Sequence, residues 1–194
     1  YKHDKPTEPG FTPYGEAKAL DTGIPNLLEA WDISSTVPVK WPKEMIQEWE
    51  TLVKFESYIY QTGLKLLTQL EDELNLSEGT FTKLIHRYSG GIHFLHYPTN
   101  LVSNGTGARR QSLHADMTLI TLNPPATRDG LIISHEGVSK IVEPKDGEVL
   151  VLPGLVMEFL TQGRIKGCLH TVDTPISIES SFSRISSPFF CCPD

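Results

Sequence analysis

The sequence predicts an α+β domain: a double-stranded β-helix, or jelly roll, with a flanking helical layer. Three observations predict it. Between Lys43 and about Leu76, apolar residues recur at three- and four-residue spacing. From Gly90-Gly91 onward the period drops to two. Turn signals then divide the remainder into many short strands at even spacing, a pattern that closes into two packed sheets. With 194 residues, 39% of them hydrophobic, the chain can fill one core and is short for two. Residues 1–194 are therefore expected to form a single domain, with 1–90 as irregular lead-in and helices and 91–194 as the jelly-roll core.

Residues 1–42 carry Pro6, Pro9, Gly10, Pro13, Gly15, Gly23, Pro25, Pro38 and Pro42, which interrupt any regular pattern. An irregular segment lying along the surface is expected there. Trp49, Leu52, Phe55 or Glu56, Ile59, Gly63, Leu66, Leu70 and Leu74 then mark one face of a long amphipathic helix. Pro42 is well placed to start it. Ser77-Glu78-Gly79-Thr80 has the character of a cap and predicts a short helix running toward His86. Strands are expected at Ile92–Tyr97, ending at Pro98, and at Leu113–Leu122, Gly130–Ser134, Val138–Glu143, Glu148–Leu152, Leu155–Thr161, Leu169–Val172 and Ser181–Cys191. Asn123-Pro124-Pro125, Arg128-Asp129-Gly130, Lys145-Asp146-Gly147, Pro153-Gly154 and Gln162-Gly163 separate them as turns.

A formal charge of -7 argues against nucleic-acid binding through a basic surface, and no apolar run is long enough to cross a membrane. The expected partner is a small molecule, bound by a monomer. Cys168, Cys191 and Cys192 are odd in number and form no paired framework, which favours a reducing compartment and hence a cytoplasmic location. The chain opens at Tyr1 without an initiator Met, so it is expected to be incomplete at its N-terminus.

The chemistry concentrates in Ser112–Leu122. There His114 and Asp116 stand two apart on an expected strand, so both side chains leave one face. His170 completes a set of two imidazoles and one carboxylate. That set leaves coordination positions open and suits Fe(II), Mn(II) or Zn(II); closed structural zinc sites take four ligands, usually with Cys. Cys168, two residues before His170, keeps a zinc site open. His3 and His135 are expected in loops. His86, His93 and His96 are expected as packing or surface residues, with His96 within reach of the site.

Arg184 and Ser186 form a second pair two apart. The planar guanidinium fork binds a carboxylate through two hydrogen bonds, and a neighbouring hydroxyl adds a third. A dicarboxylate fits such a pair, although an Arg alone is more often part of an ordinary surface salt bridge.

His114–Thr121, the later His170 and Arg184-Ile185-Ser186 resemble the iron- and 2-oxoglutarate-binding signature of the isopenicillin N synthase-like 2-oxoglutarate/Fe(II) dioxygenases. Gly147–Gly154 and Thr161–Arg164 resemble the segment preceding the distal His of that family, and Phe11–Gly15 resembles its lead-in. The resemblance implies that His114, Asp116 and His170 hold Fe(II) and are the catalytic centre. It also implies that Arg184, Ser186 and Tyr97 bind 2-oxoglutarate, with O2 as the other cosubstrate. Three departures stand out: Leu95 where many relatives carry Asn, Thr171 where Arg is common, and a longer interval between His170 and Arg184.

The expected activity is oxidation of a C–H bond in a small metabolite of secondary metabolism, by hydroxylation, desaturation or oxidative cyclisation. Of Arg109 and Arg110, just before the metal strand, one is expected to pair with a substrate carboxylate at the pocket mouth, the alternative being a solvated loop pair. Two other readings stay open: an iron oxidase of the same fold that does not use 2-oxoglutarate, and a non-enzymatic jelly roll with structural zinc.

Overall fold

The computed structural model describes residues 10–19, 21–33, 46–85, 90–99, 109–172 and 182–193. Strands β1 (Gly10–Thr12) and β2 (Glu29–Ile33) precede helix α1 (Ile46–Glu73). The main run follows: β3 (Gly91–Tyr97), β4 (Gln111–His114), β5 (Ile120–Asn123), β6 (Leu131–His135), β7 (Val138–Ile141), β8 (Leu150–Pro153), α2 (Leu155–Leu160), β9 (Leu169–Val172), β10 (Arg184–Ser186) and β11 (Phe189–Cys191). The larger sheet has the order β1-β2-β3-β11-β5-β8, with β10 also paired to β3. The smaller has the order β4-β9-β6-β7. This is the expected double-stranded β-helix.

The helix stripe read from the sequence is the packing face. Ile59 and Leu67 of α1 are buried with Ile92, Leu119, Ile120, Leu122, Phe189 and Cys191, so α1 covers the outer face of the larger sheet. A second cluster, Leu28, Ala30, Tyr97, Leu131 and Val172, fills the space between the two sheets. The start of α1 at Pro42 lies outside the described residues.

Five expectations are corrected. The lead-in contributes β1 and β2, and β2 pairs along β3 from Glu29↔His96 to Ile33↔Ile92. Its prolines and glycines flank these strands, and buried Leu28, Ala30 and Ile33 tie the segment to the core.

Residues 77–85 form successive turns in place of a short helix. The Glu71 carboxylate takes the N–H groups of Gly79, Phe81 and Thr82 at 2.6–2.8 Å, diverting donors that a helix would use internally. Gly79 at φ 85° also breaks helical geometry.

Leu155–Leu160 is helical, where a strand was expected. Its apolar run does not alternate, and periodicity alone cannot separate a short buried helix from a strand.

Leu113–Leu122 is two strands in different sheets, joined by a turn through Asp116. Likewise Ser187-Pro188 divides the last expected strand into β10 and β11.

Candidate active site

His114 ends β4 and His170 lies on β9, and their antiparallel register sets the two directly opposite each other. Their ring centroids are 4.3 Å apart. Asp116 is not on the strand with His114, as expected, but in the turn that crosses between the sheets. It still converges. Its Oδ1 lies 3.3 Å from His114 Nε2 and 3.7 Å from His170 Nε2, and the three ligand atoms fall within 4.8 Å of one another.

The turn is built to hold that carboxylate. Leu155 N–H donates to the Asp116 carbonyl at 2.8 Å, Val156 N–H to the Thr118 carbonyl at 3.2 Å, and Leu119 N–H to the Cys191 carbonyl at 2.9 Å. Gly154 lets α2 approach this closely. A Cβ there would collide with Thr118 and stand 2.7 Å from the Asp116 carbonyl oxygen.

Each imidazole is oriented through its Nδ1. His114 Nδ1 donates to the Ser112 carbonyl at 2.8 Å and His170 Nδ1 to the Cys168 carbonyl at 3.0 Å. A carbonyl only accepts, so each Nδ1 carries a proton, and both Nε2 atoms are turned toward Asp116. Thr121 Oγ1 donates to Asp116 Oδ2 at 2.6 Å, and Thr118 Oγ1 lies 3.1 Å from Thr121 Oγ1. Oδ1 is thereby left for an ion. Burial pushes the His170 imidazole down, toward the neutral form that ligates metal. Burial pulls His114 down as well, but its hydrogen bonds to Asp116 and the Ser112 carbonyl outweigh this and raise it. Asp116 is driven up by burial, yet the His114 hydrogen bond, the His170 charge and the Thr121 hydroxyl hold it below the usual carboxylate range. The carboxylate is ionised at neutral pH. This donor set fits a divalent ion with open positions.

The trio opens into a cavity of about 260 Å³ whose wall also carries Tyr97, Ser186 and Arg184. Arg184 and Ser186 come from one face of β10, opposite Tyr97 and Leu95 of β3. Arg184 is 3% exposed. Its Nε donates to the Arg128 carbonyl at 3.0 Å and its guanidinium stands 5.4 Å from the centre of the Tyr97 ring. Its Nη1 is buried with no hydrogen-bond partner, as is Nδ2 of the cavity-lining Asn123. Buried donors are seldom left unpaired, and two at one cavity fit an anionic ligand. Burial pushes the Tyr97 hydroxyl up to about 12, against the pull of Arg184 and of a hydrogen bond with Ser186, so it remains a donor at neutral pH.

The structure does not bring Arg109 and Arg110 into this cavity. Arg110 is buried with its Nη2 donating to the Phe182 carbonyl. Arg109 is exposed on a separate cleft with Asp21, Thr22 and Leu113. His96 is turned away as well, bridging Glu29 at 2.7 Å and Ser183 at 2.9 Å. His93 does line the cavity, with Nδ1 2.5 Å from Asp32 Oδ1. Cys168 contributes its carbonyl, and no disulfide joins Cys168, Cys191 and Cys192. His3 and His86 lie outside the described residues. Of the phenylalanines, Phe190 lines the cavity, Phe189 is core and Phe159 is 80% exposed.

Sequence reasoning missed Thr121, Asn26 and Glu143. Buried Asn26 accepts from the Ser112 N–H and hydroxyl at 3.0 and 2.8 Å, anchoring β4 from the lead-in. No spacing rule links residues so far apart in the chain. Thr171, in the position noted for Arg, donates to the Gln111 carbonyl at 2.6 Å and locks β9 to β4.

A family model described as the 2OG-Fe(II) oxygenase superfamily matches residues 74–193. A 2-oxoglutarate-Fe(II) type oxidoreductase of Aspergillus fumigatus is 27% identical over 159 residues, 79% of this chain and 46% of that protein. The 2-oxoglutarate-dependent dioxygenase ecdK of Aspergillus rugulosus is 28% identical over 167 residues, 79% of this chain and 50% of its own length. The chain thus spans about half the length of these relatives. Among solved structures, full-length Neurospora crassa T7H in complex with alpha-KG superposes with a TM-score of 0.79 at 21% identity, over 96% of this chain and 64% of that one. At that identity the likeness speaks for the fold.

Proposed function

This chain belongs to the 2OG-Fe(II) oxygenase superfamily, and from that premise we propose that it oxidises a C–H bond of a small metabolite using Fe(II), 2-oxoglutarate and O2. One observation supports this most: the buried, partly unpaired guanidinium of Arg184 faces the same cavity as the His114-Asp116-His170 trio. In this reading the trio holds Fe(II) on the two Nε2 atoms and Asp116 Oδ1. Arg184 pairs with the far carboxylate of 2-oxoglutarate, Ser186 and Tyr97 add hydroxyl donors, and Leu95 offers no hydrogen bond. When bound, the ferrous ion and keto acid supply the O2 activation and the oxidant that attacks carbon. The protein's part is positioning. Hydrogen bonds at Nδ1 aim each Nε2 at the ion's position, Thr121 orients Asp116, and Leu28, Ala30, Leu131 and Val172 keep the cavity wall dry.

Hydroxylation, desaturation and oxidative cyclisation share this arrangement, and secondary metabolism is the expected setting. Cys168, Cys191 and Cys192 form no disulfide, which accords with a cytoplasmic location; the proposed state is a monomer, and no helix among the described residues is long and apolar enough to cross a membrane.

Anaerobic titration of the Fe(II)-loaded protein with 2-oxoglutarate tests the proposal. A visible metal-to-ligand charge-transfer band is expected, with Arg184→Met needing at least tenfold more keto acid to produce it, about the cost of a charge-assisted hydrogen bond. Iron binding without a band transfers Arg184 and Ser186 to a substrate carboxylate and favours the iron oxidase.

A further inference from the structure

The cosubstrate end of the cavity contains an acid that its proposed ligand does not call for. Glu143, in the loop after β7, lines the same wall as Arg184, and its Oε1 stands 3.7 Å from Arg184 Nη2. The same oxygen accepts the N–H of Leu131 at 3.2 Å, which fixes the side chain where β6 begins. The Glu143 side chain is 18% exposed and that of Arg184 3%, so water screens the pair weakly.

Resting on the 2-oxoglutarate reading above, we propose that Glu143 is a built-in competitor for Arg184 that lowers affinity for keto acids carrying a far carboxylate. The physical chain is short. Arg184 is the cation at this end; its Nε is committed to the Arg128 carbonyl. Nη2 faces Glu143, and Nη1 is the nitrogen left without a partner. A dicarboxylate entering here meets a guanidinium already half neutralised. It must either displace the Glu143 carboxylate from Nη2 or accept a like charge a few ångströms away. Both outcomes weaken binding, and both act on the far carboxylate alone. A keto acid lacking that group does not feel Glu143 in this way. Glu143 therefore sets the cosubstrate concentration at which the site fills.

The test is calorimetric titration, under argon, of Mn(II)-loaded wild type, Glu143→Gln and Arg184→Met with two probes. One is 2-oxoglutarate; the other is 2-oxovalerate, which has the same chain length and no far carboxylate. Glutamine keeps an oxygen for the Leu131 N–H, so the loop should hold, and a thermal melt verifies this. Glu143→Gln is expected to bind 2-oxoglutarate about tenfold more tightly, the scale of a partly buried charge pair, with 2-oxovalerate unchanged. Equal or weaker 2-oxoglutarate binding by Glu143→Gln overturns the proposal and makes Glu143 a support for Arg184. Equal tightening of both probes also overturns it, since the effect would then be on the metal. If wild type binds 2-oxoglutarate and Arg184→Met weakens it while Glu143→Gln changes nothing, only this inference falls. If neither wild type nor Glu143→Gln binds 2-oxoglutarate, the cosubstrate reading falls and takes this inference with it.

Discussion

Asp116 has two oxygens, and the site works only if the correct one is free. Thr121 settles which, because its hydroxyl occupies Oδ2 at 2.6 Å while Oδ1 faces the two Nε2 atoms. Groups that orient a metal ligand from behind typically account for ten- to a hundredfold in affinity. Thr121→Val keeps the side-chain shape and removes the donor. We expect it to weaken Mn(II) binding by about ten- to a hundredfold, read by calorimetry, with the fold unchanged by circular dichroism. Unaltered affinity would mean that the Asp116 turn alone holds the carboxylate. The candidate ligands themselves were legible in the sequence because two imidazoles and a carboxylate are a rare chemical set. Thr121 was not, since a threonine on a buried strand has the same local signature whether it supports a ligand or fills the core.

The elements differ in how far local pattern determined them. The α1 stripe was readable because it buries one face against the larger sheet, and β3 because alternate residues enter the two clusters, Ile92 and Phe94 the one under α1, Leu95 and Tyr97 the one between the sheets. The strand containing Asp116 was misread because an apolar run looks the same whether it continues in one sheet or crosses to another. The turns at residues 77–85 were misread because their decisive partner, Glu71, lies outside the segment. Glu71 also makes the element's stability depend on pH. Burial pushes its carboxyl up, but the N–H groups of Thr82, Gly79 and Phe81 outweigh that and hold it below the usual range. A carboxylate lowered in the folded state contributes stability above its unfolded value and loses it as pH falls through the folded one. Glu71→Gln mimics the protonated form. At pH 7 it should unfold in urea with about 2 kcal/mol less stability than wild type, and the gap should narrow as pH falls below about 4.3, the unfolded value, and close only below the lower folded one. A gap that persists in acid would show that the side chain acts by shape and not by charge.

Across the whole molecule, the site is divided between the two sheets. His114 and His170 belong to the smaller sheet, Arg184, Ser186 and Tyr97 to the larger, and Asp116 to the turn that crosses between them. The sequence motifs name these residues but carry no information on which sheet holds which, and that division is what makes ligand binding a matter of global stability. On the proposed reading, a metal on the trio would brace the smaller sheet and the crossing turn. A keto acid reaching from the metal to Arg184 would tie that unit to the larger sheet. Ligands that bind only the folded state stabilise it by about 2.7 kcal/mol at a hundredfold excess over Kd, or about 5 to 10 °C in Tm for a domain of this size. We expect Mn(II) to raise Tm by that amount, 2-oxoglutarate alone to raise it little, and the two together to exceed their sum, because each completes the other's site. Asp116→Ala should abolish the whole response. Arg184→Met should keep the Mn(II) shift and lose the increment from the keto acid. An equal shift from 2-oxoglutarate with and without metal would show that Arg184 binds it independently, and the two sheets would then be coupled by packing alone.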